Sequence, residues 1–130
     1  MERFVVTVGA GSYRARSDRA VRFPHRWTAE GVTVEADFTG AHLLHLAAAG
    51  CVLNDVYREA EASGLRLDGV RVEAEGGFDT GTWASRGITY RVDLDSSGSA
   101  EELADLLKRV DEVAEIPRAI RAGATVRRVS

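Results

Sequence analysis

The chain contains one cysteine, Cys51, so no disulfide can form within it. That excludes a disulfide-stapled secreted scaffold and leaves the thiol as either a small buried hydrophobe or a reactive group. No apolar run approaches the ~20 residues of a membrane-spanning helix. The opening stretch, Met1-Glu-Arg-Phe-Val-Val, carries an acid and no long apolar core, which is not the pattern of an export signal. The expected setting is therefore a reducing cytoplasm, without a membrane partner. Neither sign of charge dominates: the net charge of −3 offers no electrostatic case for nucleic acid. Repeats and low-complexity segments are missing. Gly76-Gly-Phe-Asp-Thr-Gly81 lacks a phosphate-loop pattern, and Gly9-Ala-Gly11 is too short a signal for a dinucleotide site. A Ser/His/Asp signature is absent as well. No cofactor is expected.

What remains is an ordinary globular composition. The 130 residues are 45% hydrophobic and 28% charged, enough for one domain spanning residues 1–130. A chain of this length buries roughly two-thirds of its unfolded surface. Residues 3–8, 20–23 and 32–36 are rich in strand formers, and Pro24 marks a strand edge or end. The first 38 residues read as a small antiparallel meander. From Thr39 to Ser63 the chain turns Ala- and Leu-rich without proline and stops at Gly64, a favourable residue just past a helix end. The first half of this helix is apolar nearly all round, so it is expected to be buried on most sides.

Val70-Arg-Val-Glu-Ala74 alternates as a half-exposed strand, 76–87 reads as a loop, and 88–94 alternates again. Ser99-Ala-Glu-Glu102 is a capping box opening an amphipathic helix with Leu103, Leu106, Leu107, Val110 and Val113 on one face. Pro117 ends or kinks that helix. Residues 123–129 read as a final strand. The fold class is α+β, helices packed on an antiparallel sheet.

Three segments, taken in order, resemble the OsmC/Ohr family. They are Leu43-Leu-His-Leu-Ala-Ala-Ala-Gly-Cys51, Leu67-Asp-Gly-Val-Arg-Val-Glu73, and Leu106 through Ile116-Pro117. The resemblance implies an intertwined homodimer with the long helices at its centre and sites at the subunit interface. It also implies a thiol-dependent peroxidase reducing organic hydroperoxides in oxidative-stress defence, with Cys51 in the peroxidatic position. The family's resolving Cys-Pro step falls on Ile116-Pro117, so that thiol is missing here. Its helix-start carboxylate falls around Thr39-Gly-Ala41, where no acid stands. Its activating arginine has five possible counterparts, Arg14, Arg16, Arg19, Arg22 and Arg26. A one-cysteine route then needs an external thiol reductant.

The residues themselves leave alternatives open. By helical spacing Cys51 shares a stripe with Asn54, Asp55 and Arg58. The acid would raise the thiol pKa and the base would lower it. His42 and His45 share a helix face and suit either pocket walls or acid–base groups, but no further cluster completes a metal site. His42, His45, Asn54, Asp55 and Arg14 are the possible pocket residues around catalytic Cys51. They also fit a second reading, a dimeric scaffold that holds an apolar small molecule or is purely structural. Trp27 and Trp83 are either pocket walls or core anchors.

Overall fold

Alternating valines build the sheet. In a computed structural model, which describes residues 2–130, the strands are β1 (Phe4–Gly11), β2 (Val21–Phe23), β3 (Val32–Glu35), β4 (Gly69–Phe78) and β5 (Ser85–Asp95). The helices are α1 (Gly40–Ser63), α2 (Ala100–Val113) and α3 (Glu115–Ala122). All strand pairs are antiparallel, in the order β2-β3-β1-β4-β5. The N-terminal strands are thus not a sequential meander. β3 lies between β1 and β2, because β1 is needed at the centre, where Val6, Val8 and Ala10 face the core opposite Ala74, Val72 and Val70 of β4.

The long helix crosses that apolar face. Ala49, Val52, Leu53, Val56 and Ala60 of α1 are buried against it, each large aliphatic side chain contributing about 2 kcal/mol. Thr39 caps α1 by accepting from the His42 N–H. At the other end Gly64 takes φ 70°, which lets Leu65 N–H donate to Ala60 O at 2.9 Å. The polar second half of the helix is not all solvent-facing, since Tyr57 and Ala60 are buried.

The capping box of α2 forms as expected, Ser99 accepting from Glu102 N–H and Glu102 accepting from Ser99 N–H. Leu106 and Val110 bury α2 beside α1. The chain then breaks at Ala114 and restarts as α3, so Pro117 sits in a first turn, where its missing N–H costs no hydrogen bond. Two expectations change, the loop at 76–87 and the final strand at 123–129. β4 runs on to Phe78 and β5 begins at Ser85, with a bulge between Gly76 and Phe78 letting the pairing continue through the glycines. The segment after Gly123 forms no strand within the chain, and Val126 and Val129 stand exposed on it.

Gly76 is confined between elements. A Cβ there would fall 2.5 Å from His45 Nε2 and closer still to Gly87 O. Gly50, in the middle of α1, has nothing within 4 Å of a Cβ. Gly76→Ala is therefore expected to destabilise by about 1–3 kcal/mol. Gly50→Ala should instead stabilise by about 0.5–1 kcal/mol, since glycine loses more freedom in a helix than alanine. Urea denaturation midpoints of the two variants should move in opposite directions.

Candidate functional site

Cys51 lies on the α1 face turned toward α3. Asp55 follows one turn later and Arg58 one turn beyond that, so the helix stacks thiol, carboxylate and guanidinium in a row. The break at Ala114 brings the start of α3 onto this row. Glu115 Oε2 is then 3.8 Å from Cys51 Sγ, and Asp55 Oδ2 is 4.0 Å from it. The Ile116 backbone N–H donates to the sulfur at 3.5 Å. Arg58 ties the carboxylates together, with Nη1 3.2 Å from Glu115 Oε1 and Nη2 3.3 Å from Asp55 Oδ1. Behind it, Glu59 bridges Arg58 Nε at 3.5 Å and Arg109 Nε at 3.8 Å.

The electrostatics follow from this layout. Burial pushes the half-buried Cys51 thiol above its ordinary pKa; the Ile116 N–H opposes that, and the charges of Asp55 and Glu115 reinforce it. Asp55, with a side chain only 5% exposed, is raised first by burial, against the pull of Arg58. Glu115 is held low chiefly by its hydrogen bond from Arg58. At rest the sulfur is therefore a neutral thiol facing two carboxylates, of which Glu115 is the nearer. Such a site can take the thiol proton when the sulfur attacks. One donor atom each from Cys51, Asp55 and Glu115 lies within 4.8 Å of the others, a set of one soft and two hard donors. Arg58 already neutralises the carboxylates from the far side.

Of the pocket residues expected from sequence, only Asp55 stands in hydrogen-bonding reach of the thiol. His42 sits at the start of α1, its Nδ1 2.6 Å from Thr39 Oγ1 and its ring edge-on to Phe4. His45 is fully buried against Phe4 and Phe78 and donates Nδ1–H to Ala41 O at 2.7 Å, leaving Nε2 without a partner among the described residues. Asn54 points off another side of α1, where its Oδ1 lies 3.1 Å from His25 Nε2. Those two residues, with Phe23, Trp27, Leu46 and Leu53, line a cavity of about 380 Å³. Arg14 pairs with Glu30 and donates to Gly11 O at 3.1 Å. Among the described residues, none of the five N-terminal arginines touches the Cys51 cluster.

Sequence reading missed Glu115, and named Ile116 only as the residue at the missing Cys-Pro position. The signal was present, because Glu115 directly precedes that Ile116-Pro117 step. Another cavity, of about 370 Å³, runs alongside, walled by Ala48, Ile88, Tyr90, Pro117, Ile120 and Arg121. Ala48 is one turn before Cys51 and Pro117 directly follows Ile116.

Asp55→Asn removes one negative charge beside the thiol, so more thiolate is expected at a given pH. Iodoacetamide should alkylate Cys51 several-fold faster at pH 8, and the midpoint of its rate–pH profile should fall. Arg58→Ala should do the reverse, slowing alkylation. It should also cost about 1–3 kcal/mol in stability, because Asp55 is left buried without its counter-charge.

The sequence matches the family profile of OsmC-like protein over residues 30–128. No functionally curated protein matches it. Among solved structures, the chain is similar to an OsmC-like protein from Mycoplasma pneumoniae, at 15% identity and a TM-score of 0.59 over 71% of this chain and 79% of that one. It is likewise similar to an OsmC-like hydroperoxide resistance protein from Jannaschia sp. CCS1, at 15% identity and a TM-score of 0.59 over 97% and 91%. These likenesses establish a shared α+β fold. With the family match covering most of its length, the chain belongs to the OsmC-like family.

Proposed function

We propose that this OsmC-like protein is a one-cysteine, thiol-dependent peroxidase that reduces organic hydroperoxides. The observation that carries the reading is the convergence of Asp55, Glu115 and the Ile116 N–H on the Cys51 sulfur, with Arg58 holding the two acids in place. The family supplies a peroxidatic cysteine at this position. Asp55 and Arg58 from α1 itself and Glu115 from α3 surround the thiol in place of the family's own Arg and helix-start acid.

The sulfur attacks the outer oxygen of ROOH as a carboxylate accepts its proton. The O–O bond breaks, and that proton passes to the leaving alkoxide to give ROH. Cys51 is left as a sulfenic acid. An external thiol then condenses with it, releasing water, and a second external thiol displaces the mixed disulfide. The apolar cavity beside Ala48 and Pro117 suits the organic part of the substrate.

The reading includes a homodimer acting in the cytoplasm. Support for the dimer is that, among the described residues, the C-terminal segment carrying Val126 and Val129 has no strand partner and β5 lies at a sheet edge with one unpaired side. Among the described residues no helix is long and apolar enough to cross a membrane.

With tert-butyl hydroperoxide and dithiothreitol, the chain should consume peroxide catalytically, and Cys51→Ser should fall to the uncatalysed rate. Full activity in Cys51→Ser overturns the proposal.

One feature favours a second reading, a scaffold that binds an apolar small molecule. The cavity at His25 and Asn54 combines apolar walls with two polar groups, away from Cys51. Fatty acyl or aromatic ligands should then raise the melting temperature of the Cys51→Ser protein. No shift across such a set removes this reading.

A further inference from the structure

We infer that oxidised Cys51 closes onto the backbone nitrogen of Ile116 as a sulfenamide, tying α1 covalently to α3. This rests on the reading above, in which Cys51 becomes a sulfenic acid, and it names how that oxidised state is resolved inside a chain with no second thiol. A sulfenic acid condenses either with a thiol or with a backbone nitrogen. Within this chain only the second partner exists, and one is already in place: Ile116 N points its hydrogen at Sγ from 3.5 Å.

Ile116 is suited to the role by its place in the helix. It is the second residue of α3, so its N–H belongs to the helix-terminal group that has no acceptor within the helix. Losing that hydrogen to a covalent bond removes no helix hydrogen bond. Pro117 next to it has no N–H at all, so on that side no second amide competes for the sulfur. The Arg58–Glu115 ion pair already holds the start of α3 against α1, which limits the conformational search for closure. Glu115 Oε2, 3.8 Å from the sulfur, is positioned to receive the amide proton.

The step balances. The sulfenic S–O bond and the Ile116 N–H bond break, an S–N bond forms, and the hydroxyl leaves as water with the amide proton. The oxidising equivalents came earlier from the hydroperoxide O–O bond, so no other oxidant is needed. The product is lighter than the reduced chain by two hydrogens. An external thiol attacking sulfur opens the S–N bond, restores the N–H and leaves a mixed disulfide, from which a second thiol frees Cys51. The sulfur is thereby kept off the irreversible sulfinic and sulfonic levels.

The test is mass spectrometry of the whole chain oxidised without reductant, in one arm by tert-butyl hydroperoxide and in the other by excess hydrogen peroxide. The expected result is a monomer lighter by two hydrogens. Its non-reduced digest should join the Cys51 and Ile116 peptides, and dithiothreitol should return both to their original masses. Cys51 found only as sulfinic acid, or as a Cys51–Cys51 disulfide between two copies, overturns the inference. If tert-butyl hydroperoxide is consumed without the cross-link, closure fails and the peroxidase reading stands. If only hydrogen peroxide gives the cross-link, closure stands and the organic-hydroperoxide reading fails. Ile116→Pro lacks the nitrogen-bound hydrogen and should shift the oxidised pool to sulfinic acid. Should that variant not fold, the peptide map of the unaltered chain decides alone.

Discussion

A carboxylate inside an apolar helix has to be compensated, and in this protein Asp55 is that carboxylate. Its burial is set by α1, which lies across the centre of the sheet and exposes little of its middle turns. An isolated buried charge would be prohibitively costly. Arg58 supplies the opposite charge from the next turn of the same helix, and Glu115 shares that arginine from α3. This three-residue ionic contact ties the start of the third helix to α1 beside the thiol.

The consequence for Cys51 is a trade between two kinds of activation. A cysteine poised by a nearby cation is a ready thiolate, whereas this one faces two carboxylates and keeps its proton at rest. The guanidinium is present but acts one residue removed, through the acids it holds. The backbone amides of Ile116, first, and Glu115 are what favour negative charge on the sulfur. The Ile116 amide belongs to the Ile116-Pro117 step that the sequence resemblance aligns with the family's Cys-Pro position.

Much of the architecture was legible in the residues. The valine alternation of β1 and β4, the Thr39-to-Gly64 limits of the long helix and the Ser99 capping box are each specified within a few residues, by local hydrogen bonding and side-chain period. Strand order was not legible, because neighbouring runs of strand formers carry no label for which is central. β5 extended further toward Ser85 than its alternation indicates, since a bulge, not a change of composition, carries the pairing past Gly76. For the site, the Cys51, Asp55 and Arg58 stripe followed from helical spacing. Asn54 and His42 shared the helix but not the face turned to the thiol, and of the crowded N-terminal arginines Arg14 pairs with Glu30 and Arg19 with Asp37 instead.

The amino-acid order by itself determined which polar side chains share a stripe of α1 with the one cysteine, that the sequence holds no second thiol, and that no acid stands at the helix start. Those are statements about composition and about positions a turn or two apart, where helix geometry leaves little choice. Only the tertiary structure decided what stands against the sulfur. Glu115 is 64 residues from Cys51 in the chain, and nothing local to either residue encodes their approach. That approach comes from burying Leu106, Val110 and Ala114 beside α1, which turns the chain at Ala114 and delivers Glu115 and Ile116 to the thiol.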